Sequence, residues 1–289
     1  MVQTQCSPLE YDGQRMPIDC FHELWRTPGF KYEYGDGKAE ISIQEAAAPI
    51  MVARPSMIAE GVSETSAPED IDVQSAGAAF VQELQALWLN AFVRTPDYYG
   101  YSVEDMEKQA SKTLNPLYQG ESPDLHPASV AAWWKENLVG MLLINESRPR
   151  PVIEALGVRP DVQHRGVGSA MAKQAASRLL EEGEHVLCSG YLLANAVSAS
   201  WHEDAGFIEI PDWLTTNHRF RCAQHNLEMG LVRDVGGMKR YVDMLRTELE
   251  NMREDQDEDP DAHCPFRWIK SDGDRIDDFL SDQTRQVEK

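Results

Sequence analysis

The sequence predicts a mixed α/β (α+β) fold with a central, mostly antiparallel sheet flanked by helices, an N-terminal β-hairpin extension and an acidic C-terminal tail. Three observations predict it. An Asp-Gly pair separates two alternating apolar runs near the start. A strand, a glycine-containing turn and a long helix follow one another between Ile153 and Leu180. The order of strands and helices also lacks the even βα alternation of a doubly wound sheet.

The hairpin is the clearest local signal. Phe30, Tyr32 and Tyr34 alternate on one side of Asp36-Gly37, and Ala39, Ile41 and Ile43 alternate on the other. Period-two runs flanking Asp-Gly are what a tight antiparallel turn requires. A two-stranded unit is marginal alone, so this one is expected to pack on the main domain or extend its sheet. Pro49–Ala53 reads as a further strand and Ser63–Asp72 as a loop. A helix is expected over Ala76–Arg94, with Phe80, Leu84, Leu87 and Ala91 at helical spacing. A second should run from Val103 to Leu114 behind Ser102 as its cap. Ser129–Trp134 and Leu138–Ile144 read as strands joined through Glu136-Asn137, and Phe220–Arg233 as a closing pair of strands. From Arg246 the chain reads as helical, and Glu254–Pro260 as a solvated or disordered acidic run, giving a partly disordered tail. The expected organisation is therefore an extension over 1–49, a main domain over 50–235 and a tail over 236–289.

Composition excludes several classes. The net charge is −21 over 289 residues. Residues 1–128 carry 20 acidic and 8 basic side chains, residues 129–247 carry 14 and 13, and residues 248–289 carry 14 and 6. So acidic a surface repels phosphate backbones, which argues against a nucleic-acid partner and suits a cationic one. No apolar run approaches the ~20 residues of a membrane span. The start of the chain has no secretory pattern, so a cytoplasmic protein without a membrane partner is expected. The five cysteines are scattered, with no pair at zinc-site spacing, so no metal is expected.

The chemistry lies between residues 152 and 207. Val152–Val158 reads as an apolar strand, ended by Arg159-Pro160. Then come Gln163, His164, Arg165, Gly166, Val167, Gly168 and Ser169, opening a helix that Gly183 stops. Glycines at a helix start let backbone amides surround a phosphate, and the helix dipole favours its charge. They also serve a tight turn on steric grounds alone. A dinucleotide fingerprint is excluded because Met171 stands where its third small residue belongs, and a phosphate-binding P-loop because the Gly-Lys-Ser/Thr is missing.

Gln163-x-x-Gly166-x-Gly168 after a strand containing Leu156-x-Val158 resembles the acetyl-CoA-binding motif of the GNAT acetyltransferase superfamily. Asn195-x-x-Ser198-x-x-x-His202-x-x-x-Gly206-Phe207 resembles its next strand–helix block, and Arg54-Pro55 its opening strand. The resemblance covers about 50–235, of which 153–207 is motif-specific. It implies a sheet splayed between the strands of Leu156-Val158 and Cys188–Tyr191, with acetyl-CoA as cosubstrate in the gap. It also implies cofactor binding by Leu156, Gly157, Val158, the residues Gln163 to Ser169, Asn195 and Ser198. Glu154, on one strand face with Leu156 and Val158, is the candidate base for an amine attacking directly in a ternary complex. His202 stands where the family commonly has the Tyr that protonates the leaving thiolate. The implied reaction is N-acetylation of a primary amine, either a cationic small molecule or a protein amine. Asp97, Glu104, Asp105 and Glu107, with Tyr98, Tyr99 and Tyr101, suit such an acceptor. The alternative is a catalytically silent acyl-CoA-binding sensor or interaction module.

Overall fold

The computed structural model describes residues 7–61, 70–79, 81–119, 124–258, 263, 265, 268–269 and 273–287. Within it the chain divides into two compact units: Met1–Pro49, Tyr191–Ala196 and Pro211–Cys264, and Ile50–Gly190, Val197–Ile210 and Pro265–Lys289.

The first unit holds the hairpin, β1 (Phe30–Gly35) and β2 (Lys38–Ile43). Asp36 and Gly37 sit at φ 50° and 74°, the left-handed pair that a two-residue hairpin turn needs. Phe30 opposes Ile43, Tyr32 opposes Ile41 and Tyr34 opposes Ala39. The hairpin does not extend the large sheet; it stays a separate two-stranded sheet. Its buried Phe30, Ala39 and Ile41 pack with Phe21 of α1 (Ile18–His22) and with Ala194. Gly29, at φ 92°, has no alternative, since a Cβ there would lie 2.1 Å from the Ala194 nitrogen.

Residues 220–233 form no strands. Phe220 to Glu228 lie in α7 (Trp213–Glu228), capped by Asp212, whose side chain accepts from the Thr215 amide. Cys222, Ala223 and Asn226 are buried at helical spacing, and this 3.6-residue periodicity overrides the few β-like residues downstream. Next comes α8 (Val235–Glu258), which carries the acidic run as helix up to Glu258. Asp259 and Pro260 lie outside the described residues.

The second unit is built on a seven-stranded sheet. Its strands are β3 (Ile50–Ala53), β4 (Ile71–Ser75), β5 (Val130–Trp134), β6 (Asn137–Asn145), β7 (Val152–Val158), β8 (Leu187–Gly190) and β9 (Ile208–Ile210). The spatial order is β4-β5-β6-β7-β8-β3-β9. Every pair is antiparallel except β7–β8, which is parallel. β4 falls where a loop was expected; Ser63 to Glu69 of that loop lie outside the described residues. β9, not residues 220–233, closes the sheet. β5 and β6 join through Lys135 and Glu136, both at positive φ (49° and 68°), one residue earlier than the sequence suggested.

One face of the sheet is covered by α3 (Val81–Phe92) and α4 (Val103–Tyr118). Leu84, Leu87, Trp88, Leu114 and Leu117 pack there on Met141, Leu143 and Ala155. α3 starts later than expected, because Ala76–Ala78 is a separate 3-10 turn. Ser102 caps α4 as the sequence indicated, accepting from the Asp105 amide, and the helix runs past Leu114. α2 (Pro55–Gly61) and α5 (Val167–Glu181) pack on each other, and α5 lies along β5 and β6. α6 (Ala196–Asp204) follows β8. α9 (Gly273–Val287) buries Ile276 and Leu280 against Ile50, Val52, Cys188 and Ile210. The outcome is the expected mixed α/β sheet flanked by helices.

Candidate functional site

The site begins where two neighbouring strands part. β7 and β8 share one ladder pair, Val152 with Cys188. The Cys188 amide also donates to the Pro151 carbonyl at 2.9 Å. Beyond that pair the two parallel strands separate, so β7 from Ala155 to Val158 pairs on its β6 side alone. Backbone groups left unpaired in this way call for another partner.

The splayed end of β7 leads straight into the glycine-containing loop. Val158 is followed by a 3-10 turn at Pro160–Val162 and then by Gln163 to Gly166. The Gln163 side-chain amide donates back to the Val158 carbonyl at 2.9 Å, bracing the loop. His164 and Gly166 both have positive φ, 58° and 78°, and Gly166 is the N-cap of α5. No side chain caps that helix. The Val167, Gly168 and Ser169 amides therefore head a 15-residue helix without a side-chain acceptor. A Cβ on Gly168 would stand 3.3 Å from the indole Nε1 of Trp201, whose N–H is buried and unpartnered. His164 and Arg165 are exposed.

Glu154 is the extra residue of a β-bulge. Ala155 faces Leu143 and Ile153 faces Ile144, so Glu154 has no ladder partner on β6. Bulges re-aim a side chain. The Glu154 carboxylate accepts from Asn145 Nδ2 at 3.1 Å and lies 4.0 Å from Arg148 Nη2. Glu154, Leu156 and Val158 are half-buried, whereas Ile153, Ala155 and Gly157 are buried on the alternate face.

His202 is not a solvated helix residue; it is 3% exposed. Its Nδ1 is 2.7 Å from the Ser198 carbonyl and its Nε2 is 2.8 Å from Ser189 Oγ. Burial pulls its pKa down to about 4, with the Ser198 carbonyl opposing. At neutral pH the ring is uncharged. Ser189 is the polar residue that sequence reasoning passed over. Its signal was a hydroxyl inside a short apolar strand, but the partnership with His202, 13 residues away, needs the fold. Asn195 belongs to the first unit, where its amide donates to the Leu192 carbonyl at 2.7 Å.

Tyr98 packs among Trp88, Phe92 and Tyr101. Burial, then Asp97, pushes its hydroxyl up to about 12, which keeps it a neutral phenol. Tyr99 and Tyr101 are exposed. Glu104 and Asp105 are engaged by Lys108 on the same helix, so they are not an unopposed negative patch. Among the described residues no group of three or more His, Cys, Asp or Glu is placed to hold a metal. No helix there is long and apolar enough to cross a membrane.

The site is thus a mixed sheet that parts between two parallel strands in front of a glycine-started helix without a side-chain cap. Residues 88–207 match the Acetyltransferase (GNAT) family. No curated protein matches the chain. Among solved structures it is similar to a functionally unknown conserved protein from Staphylococcus epidermidis ATCC 12228, at 13% identity and TM-score 0.42, covering 56% of this chain and 57% of that one. It is similar to the ribosomal-protein-S18-alanine N-acetyltransferase from Escherichia coli, at 17% identity and TM-score 0.38, covering 49% and 79%. A third is the PaiA N-acetyltransferase from Thermoplasma acidophilum in complex with coenzyme A, at 15% identity and TM-score 0.41, covering 49% and 91%.

Proposed function

We propose that this protein is an N-acetyltransferase that moves an acetyl group from acetyl-CoA to a primary amine by direct attack in a ternary complex. The observation that carries the reading is the uncapped N-terminus of α5, entered through Gly166 at φ 78°, at the end of a strand that has parted from its neighbour. The residues present fit acyl-CoA. The amides of Val167 to Ser169 suit a diphosphate, and the unpaired edge of β7 from Leu156 to Val158 suits the amide groups of a pantetheine arm. When bound, the thioester supplies the activated acetyl group.

The chain's own residues do the rest. Glu154 takes the proton that the amine must lose, since an alkylammonium has a pKa of roughly 10. Backbone amides of the parted strand hold the carbonyl oxygen on which charge develops. His202 stands at the acid position. Its neutral N–H is committed to the Ser198 carbonyl, so it acts as an acid only as the imidazolium, handing a proton from Nε2 through Ser189. The acceptor is a small-molecule or protein amine, and the acidic composition suits a cationic one.

Calorimetry with CoA and thiol release from acetyl-CoA with a panel of amines test the reading. Binding with amine-dependent thiol release is expected; no binding of any CoA thioester ends it. The burial of His202 as a neutral ring favours a second reading, a silent acyl-CoA-binding module. That reading is identified by binding without release.

A further inference from the structure

Ser189 is the first residue of β8 beyond its single ladder pair with β7, and it is 3% exposed. Its neighbour Cys188 joins the apolar cluster of Ile50, Val52 and Ile210. Alternation along the strand turns Ser189 to the other face, where its Oγ meets His202 Nε2 at 2.8 Å. On the far side of the ring, Nδ1 lies 2.7 Å from the Ser198 carbonyl. A carbonyl oxygen only accepts, so Nδ1 carries the proton and Nε2 is bare. The Ser189 hydroxyl is then the donor to Nε2. The other faces of the ring meet Trp201 at 4.9 Å and Phe207 at 5.2 Å between centroids. None of these groups is ionised, and Glu203 and Asp204 at the end of α6 are exposed.

We propose that Ser189 is the positioning residue for His202: its hydroxyl proton sits on Nε2, fixes the ring as the Nδ1–H tautomer, and leaves Ser189 Oγ, not an imidazole N–H, as the polar group that this strand and helix present to the thioester. The placement beside the thioester rests on the acetyltransferase reading; the tautomer does not. A hydroxyl whose proton is committed is an acceptor toward everything else. At neutral pH the departing thiolate therefore draws its proton from water, and His202 contributes only in the minor charged form.

Nitrogen-15 spectra of the full chain with labelled histidine read the tautomer directly and need neither cofactor nor activity. A bare Nε2 and a protonated Nδ1 are expected for His202 from pH 8 down to about 5, well above the folded value of about 4. In Ser189→Ala, Nε2 loses its donor, so its nitrogen-15 signal should move to that of an unbonded ring nitrogen while Nδ1 stays protonated against the Ser198 carbonyl. Thiol release with acetyl-CoA and an amine should then fall about tenfold in kcat, the size of one buried hydrogen bond, with a smaller change in KM. Ser189→Thr, which keeps the hydroxyl on a strand-compatible side chain, should restore both the Nε2 signal and kcat. A protonated Nε2 in the wild type overturns the proposal, as does an Ala variant with an unchanged Nε2 signal and unchanged kcat. Failure of the wild type to bind CoA would instead sink the acetyltransferase reading and leave the spectra interpretable.

Discussion

Gly168 and Trp201 meet across the first turn of α5, with the indole Nε1 3.3 Å from where a Cβ of residue 168 would stand. The glycine thus lets α6 pack against α5 as well as leaving its own amide open. Ala at this position must push the indole by a few tenths of an ångström, an overpacking cost of about 1 kcal/mol. Asp adds a carboxylate beside the first-turn amides, where it would compete with the proposed diphosphate. Gly168→Ala should lower the unfolding temperature slightly and keep measurable CoA binding. Gly168→Asp should abolish binding in calorimetry while the protein stays folded. Equal CoA affinity for both variants and the wild type would remove this helix end from the cofactor site.

Acid should destabilise the protein through His202. Its pKa is pulled from 6.5 to about 4 by burial, so between those values the unfolded chain binds more protons than the folded one. Stability is full above about pH 6.5, falls as the pH drops, and stops falling below about 4. At ~1.4 kcal/mol per unit the ceiling is about 3 kcal/mol. His202→Gln cannot titrate, so its urea midpoint should be flatter than the wild type's across this window. Parallel curves for the two proteins would show that His202 does not carry the effect.

The parts legible in the sequence are those whose signal is local. Asp36-Gly37 dictates its turn by backbone sterics, and Gly166 and Gly183 bracket α5 because both adopt positive φ, 78° and 83°. β4 was illegible because Ile71 and Val73 are its only apolar residues, and an edge strand half in solvent needs little more. Residues 220–233 misled because Leu231 and Val232 look β-like beside Phe220. Their structure is decided upstream, by the Asp212 cap. At the site, the loop and the position of Glu154 were readable, but the bulge at Glu154 and the Ser189–His202 bond depend on cross-strand register, which no local pattern encodes.

Within the first unit, Asn226 should be worth more than its size suggests. It is 2% exposed, accepts from the Arg26 amide at 2.7 Å and donates to the Arg26 carbonyl at 2.8 Å. That clamp holds the backbone under a guanidinium that lies 4.4 Å from the Phe21 ring centre and 4.2 Å from the Tyr32 ring centre. Asn226→Ala leaves a buried N–H and C=O without partners, at ~1–3 kcal/mol each. A loss of about 2–4 kcal/mol is expected in denaturant unfolding. Asn226→Asp, which keeps the acceptor and loses the donor, should fall between. A loss below about 1 kcal/mol for Ala would mean that water replaces the clamp.

Glu154→Gln separates chemistry from structure. Glutamine still offers an oxygen to Asn145 Nδ2, so the bulge keeps its 3.1 Å hydrogen bond. The contact to Arg148 at 4.0 Å is half exposed and contributes little. Stability and CoA affinity should therefore stay near wild type. What goes, on the proposed mechanism, is the proton acceptor, and loss of a general base commonly lowers turnover about 10²–10⁴-fold. The variant should also acquire a distinctive pH response. With no base, only amine already deprotonated in solution reacts, so its rate should climb about tenfold per pH unit toward the amine's pKa of roughly 10. The wild type should show a shallower rise. Turnover within threefold of wild type at pH 7 would assign the proton to another group, and a uniform loss at every pH would mean that Glu154 orients the amine and does not deprotonate it.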